Sequence, residues 1–198
     1  MVAVLAGSGC ASFATFQEMD TLDKGDGQFG MGATVSGYQV DLGDDPQSFV
    51  VPALNLWYRQ GVAEHFEVHG RAWLPLGATL GAKYQLLGDR HESGFGVSAG
   101  LDLGYLTVSS GDAKSTLVDT YVPIYLGLRA SEGFAVYAVP KYLLRTSLGT
   151  GGTSLGHLAG GTLGLAAGKK TTFLLEGSGV FDLQGGPPSW TGGLGIGF

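Results

Sequence analysis

The chain has 198 residues, enough for one sizeable domain. Glycine accounts for 36 of them, and charged residues for 14% against a usual figure of about 25%, with a net charge of −6. Collagen is excluded by the absence of a Gly-X-Y period and by only 7 prolines, disorder by a hydrophobic content of 44%, and a helical span by apolar runs no longer than the first six residues. What remains is a β-rich core or a membrane β-barrel.

Met1 to Ala6 is apolar and runs into small residues and Cys10, the only cysteine, so no intramolecular disulfide can form. This setting resembles the end of a bacterial lipoprotein signal, where an apolar stretch and small residues precede a lipidated cysteine. The resemblance implies a remnant signal over 1–10 and lipidation of Cys10. Gly7 stands where that family usually has leucine, and no Lys or Arg precedes the apolar run, so a charged leader is expected before Met1. Residues 11–27, with Glu18, Asp20, Asp23 and Asp26 against Lys24, show no sustained period and read as a periplasmic tether.

From residue 28 onward, period-2 alternation recurs between polar or glycine-rich turns, with almost no helical periodicity. It predicts ten strands, near 28–38, 49–59, 66–74, 76–87, 94–108, 118–130, 134–145, 157–167, 171–183 and 190–198. The clearest is the fifth, in which Phe95, Val97, Ala99, Leu101, Leu103 and Tyr105 face one side and Gly96, Ser98, Gly100, Asp102 and Gly104 the other. Most of these strands reach the ~9–13 residues of a tilted membrane-spanning strand, beyond the ~5–6 of globular ones. The odd connections, near 41–48, 109–117, 146–156 and 184–189, are longer and polar, and the even ones are mostly shorter. The tight turn at Leu74–Pro75–Leu76 departs from that rule. Pro52, Pro123 and Pro140 interrupt strands and are expected to mark bulges.

In this register the polar face carries Arg59, Glu67, Arg71, Lys83, Asp102, Asp119, Arg129, Lys141, Arg145, Glu176 and Asp182, and the apolar face carries no Asp, Glu, Lys or Arg. A charge facing lipid costs about 2–4 kcal/mol for Arg or Lys near the midplane, so the segregation fits a barrel whose apolar face is outside. A soluble sandwich reverses it. Six bases and five acids in one interior imply pairs across a narrow or plugged lumen, with inward glycines leaving room for the long side chains. Trp57 and Trp73 fall on the inward face, whereas Tyr58, Tyr105, Tyr121 and Trp190 are candidates for interfacial girdles.

No catalytic constellation stands out. His69 shares a face with Glu67 and Arg71, but its strand has no serine; His65 and His69 face opposite sides, which gives no metal cluster. The glycine-rich stretch at Leu148–Ser154 lacks the lysine of a phosphate loop, and the acidic balance disfavours nucleic acid. No enzyme activity, cofactor or metal is therefore expected.

The chain ends with Trp190, Leu194, Ile196 and Phe198 at even spacing between glycines and a threonine. Such a final strand with a terminal aromatic resembles those of small bacterial outer-membrane β-barrel proteins. That resemblance implies one up-and-down antiparallel transmembrane β-barrel over 28–198 in a Gram-negative envelope, with ten strands expected and eight or twelve as alternatives. It further implies Phe198 as a signal to the barrel-assembly machinery, contact with outer-membrane lipids, and a structural or adhesive role through outer loops. The alternatives are a narrow transport barrel for a small or apolar solute and a soluble, lipocalin-like binding barrel, which needs its apolar face inward.

Overall fold

The computed structural model describes residues 13–41, 46–74, 77–110, 113–149 and 152–198. Cys10, the 1–10 segment and the Pro75–Leu76 turn lie outside them. Ten strands follow in order: β1 (Gly27–Asp41), β2 (Pro46–Ala63), β3 (Phe66–Leu74), β4 (Gly77–Leu87), β5 (Gly94–Ser110), β6 (Ala113–Ser131), β7 (Phe134–Gly149), β8 (Gly152–Ala167), β9 (Thr172–Asp182) and β10 (Ser189–Gly197). Each pairs antiparallel with the next, and β1 pairs with β10, so the sheet closes as an up-and-down barrel without an exposed edge. At the seam Phe29 and Phe198 exchange both backbone hydrogen bonds, at 3.0 and 2.8 Å, with their rings 5.7 Å apart.

Alternation sorts the side chains into two environments. Outward stand residues such as Leu80, Leu103, Leu163, Phe173 and Leu194, with Leu80 and Leu163 71% exposed. Among the strand residues whose side chains are described, no Asp, Glu, Lys or Arg faces outward. His157 does, and its Nδ1 lies 2.5 Å from the Tyr142 hydroxyl. Trp57, Trp73 and Tyr121 are buried inside, so the exposed aromatic band draws on Tyr58, Tyr105 and Trp190 instead.

Two rims result. The terminal rim carries the start of β1, Phe198 and the turns at 64–65, 88–93, 132–133 and 168–171. The far rim is uneven, because β1–β2, β5–β6 and β7–β8 continue as paired hairpins to Asp41↔Pro46, Ser110↔Ala113 and Gly149↔Gly152. Gly77 at the end of β4 lies opposite Leu106, so β5 runs four residues further, about 13 Å of strand. The long odd connections expected near 109–117 and 146–156 are therefore mostly ladder rather than loop. Their polar residues break alternation but still satisfy backbone hydrogen bonds with one another.

The prolines do not mark bulges. Register shifts occur at Gly61/Ala63, Gln85/Leu87 and Arg129/Ser131, all near the terminal rim. At Pro123 and Pro140 the register is kept and the ladder merely skips, between the pairs Ala99↔Ile124 and Asp102↔Tyr121 and between Pro123↔Lys141 and Leu126↔Ala138, where proline offers no N–H. Pro52 pairs in register with Val35.

Candidate functional site: a lumen filled by the chain itself

Residues 13–22, expected as part of a tether, run inside the barrel. The chain leaves β1 at the terminal rim, turns at Lys24–Gly25 and climbs through the lumen toward the far rim, with Phe13, Phe16, Met19 and Leu22 each no more than 3% exposed. The physical reason is space and charge. Inward glycines leave hollows that these side chains enter: Phe16 lies against Gly193 and Gly195, and Met19 against Gly96 and Gly127, where an added Cβ would stand 2.5–3.0 Å from plug atoms. Gly96 therefore makes room for the plug, and Gly104 for the Tyr121 ring, rather than for long charged side chains.

Near the terminal rim Glu67 is the hub. Its carboxylate takes Arg59 Nε at 3.1 Å and Nη2 at 2.8 Å, has Lys83 Nζ at 3.1 Å, and accepts the amide of Leu22 at 3.0 Å. Lys83 also donates to the carbonyls of Glu18 (3.0 Å) and Asp20 (2.9 Å) and sits 4.9 Å over the Tyr125 ring. Arg129 donates to Glu18 at 3.0 Å and to Asp20, so its partners come from the plug and not from the opposite wall. Gln85 Oε1 accepts from the Thr21 amide and hydroxyl, and Ser98 donates to the Met19 carbonyl.

Midway, Glu176 forms a latch. Its two oxygens accept the amides of Thr15 (2.6 Å) and Phe16 (2.7 Å), and Tyr137 donates its hydroxyl at 2.7 Å. Two successive amides converge on one anion because Phe16 has φ +51°, a left-handed conformation rare for a bulky residue. Stacking of Phe16 on Trp57, with ring centroids 4.9 Å apart and planes 11° from parallel, offsets that strain. Higher up, Lys141 donates to the Phe13 carbonyl at 2.6 Å, joined by Ser178 at 3.2 Å.

Toward the far rim the interior turns apolar. Phe13 packs with Tyr38, Leu106, Leu117, Tyr121, Leu143, Leu158 and Val180. One bidentate pair crosses this region, Arg145 to Asp119 at 2.8 Å for both bonds. Arg71 lies 5.2 Å over the Trp73 ring, and His69 Nε2 lies 3.0 Å from Asp102. Between wall and plug the space left beside His69, Arg71 and Lys141 is about 30 Å³, room for one water.

The strand charges thus divide differently from the expected cross-lumen pairs. Asp182 caps the β9–β10 turn, where its carboxylate accepts from the Gln184 amide at 2.8 Å. The wall then presents six bases, Arg59, Arg71, Lys83, Arg129, Lys141 and Arg145, against Glu67, Asp102, Asp119 and Glu176. Glu18 and Asp20 of the plug bring this interior to neutrality. Residues 13–22 were the functional element missed from sequence, though an apolar residue at every third position, 13, 16, 19 and 22, stood there to be read.

No protein-family model matches the chain, and a search of curated proteins gives no match. Among solved structures the barrel is similar to Ail, the attachment invasion locus protein of Yersinia pestis, at 13% identity and a TM-score of 0.37, over 88% of this chain and 99% of that one. The structure of Ail in complex with the heparin analogue sucrose octasulfate gives 14% identity and a TM-score of 0.31, over 87% and 99%. At these scores the likeness adds nothing to the closure that the strand pairing already establishes.

Proposed function

We propose that the protein is an outer-membrane β-barrel of a Gram-negative envelope, with its terminal rim toward the periplasm. In this reading the lumen is closed and the barrel has a structural or adhesive role. The observation that carries this reading is the outward face, a wall of exposed Leu, Phe, Val and Tyr with no charged residue among the strand positions whose side chains are described. In water such a wall would be a severe aggregation liability; in lipid it is required. A lipocalin-like soluble barrel needs the opposite arrangement, and a transport path needs a lumen that residues 13–22 do not occupy. The tall hairpins β1–β2, β5–β6 and β7–β8 support contact with partners at the far rim, because they carry paired backbone beyond neighbouring strands.

Cell fractionation tests this reading. The protein is expected in the detergent-extracted outer membrane with heat-modifiable gel migration, and recovery in the soluble periplasm without detergent would overturn it. In planar bilayers the full-length protein is expected to give no large, stable single-channel conductance.

A further inference from the structure

The lumen holds its occupant largely by the occupant's backbone. In residues 13–22 the amides of Thr15, Phe16, Thr21 and Leu22 donate to wall side chains. The carbonyls of Phe13, Glu18, Met19 and Asp20 accept from Lys141, Lys83, Ser98 and Arg59. Backbone groups are common to every peptide, so this part of the recognition does not depend on sequence. Two features select among peptides. The wall carries two more bases than acids, and the glycine hollows at 96/127 and 193/195 admit a large apolar side chain three residues from the next.

The occupant is also separable. Its link to β1 is Asp23 to Asp26, with Lys24 and Gly25 in an exposed turn, and residues 13–22 contribute no strand to the sheet. Tethering of this kind raises the effective concentration of the occupant, and the link's own contacts, to Gly61, Gln60 and His91, lie at the terminal rim. We propose that the lumen is a receptor site for an extended peptide bearing two carboxylates, filled in cis by residues 13–22 and able to take the same chemistry in trans.

The test uses the full-length protein folded in detergent micelles, with a site-specific protease sequence inserted between Lys24 and Gly25. Because it is read in micelles, it stands or falls independently of the membrane assignment. After cutting, a fluorescent synthetic peptide of residues 13–22 is expected to exchange into the lumen, with a saturable rise in anisotropy that the uncut protein does not give. A peptide carrying Glu18→Gln and Asp20→Asn is expected to bind at least tenfold more weakly, as is a scrambled peptide of the same composition. Failure of the labelled peptide to enter the cut protein overturns the proposal, and so does equal binding of the uncharged or scrambled peptide. Should the insertion prevent folding, the full chain with Glu18→Lys and Asp20→Lys, whose own segment is repelled by the basic wall, is titrated with the wild-type peptide. Saturable binding supports the proposal there, and no binding overturns it.

Discussion

The two ends of the lumen are filled by different physics. Near the terminal rim, Glu18 to Leu22 are held by a buried ionic network centred on Glu67, in which each charge has named partners at fixed distances. Toward the far rim, Phe13 sits in a ring of Leu, Val and Tyr crossed by the Asp119–Arg145 bridge. An apolar ring accepts any side chain of suitable volume. A buried network does not, since removing one member strands the others without compensation. The lower half therefore sets which segment fills the barrel and in what register, and the upper half mainly excludes water.

Glu67→Ala should break this contrast most sharply. It leaves Arg59 and Lys83 buried without their shared carboxylate, at an expected loss of about 3–5 kcal/mol in urea unfolding of the micelle-bound protein. A loss no greater than that of an upper-ring substitution would remove the distinction between the halves. Gly164→Ala is next: a Cβ there would stand 2.2 Å from the Tyr137 ring, and displacing that ring disturbs its hydrogen bond to the Glu176 latch. The expected cost is about 1–3 kcal/mol, with faster exchange of the cut plug as a second readout.

Val180→Ala probes the upper ring. Two methyl groups at about 0.8 kcal/mol each predict a loss near 1.5 kcal/mol in the same unfolding assay, with peptide exchange unchanged. Gly177→Ala, on the outward face with nothing within 4 Å of the added carbon, should alter stability by less than about 0.5 kcal/mol. Smallest of all is Lys169→Ala. Its exposed bond to Glu132 holds that carboxyl below its ordinary range, so whatever it contributes is present above the carboxyl's unfolded pKa and vanishes as pH falls through the lowered value. No change in unfolding midpoint at neutral pH is expected.

Much of the wall was legible in the sequence because a strand's period of two is unambiguous when one face is apolar throughout. The ten expected strands and the inward placement of residues such as Arg59, Glu67 and Glu176 follow from that alternation. The far ends of β5–β8 were under-read because Ser109, Ser110, Lys114, Ser115 and Thr116 carry no apolar alternation. The partners of the charges were not legible either. Which base meets Glu67 depends on shear between strands, and Arg129 meets Glu18 and Asp20 from outside the sheet altogether. The plug itself escaped because a three-residue spacing of Phe13, Phe16, Met19 and Leu22 belongs to neither helix nor strand, and four acids nearby suggested a solvated tether.

The seam between β1 and β10 joins the strand made earliest to the one made last, through Phe29 and Phe198. Residues 13–22 precede both in the chain and enter the lumen from the same rim at which Phe29 meets Phe198. The ionic hub on β2, β3 and β4 and the Glu176 latch on β9 lie on opposite sides of that seam, so the two grips on the plug are brought together only where β1 pairs with β10. Closure of the seam is thus also the moment of enclosure, and a barrel that shut without its plug would have to open again to acquire one, or admit it end-on.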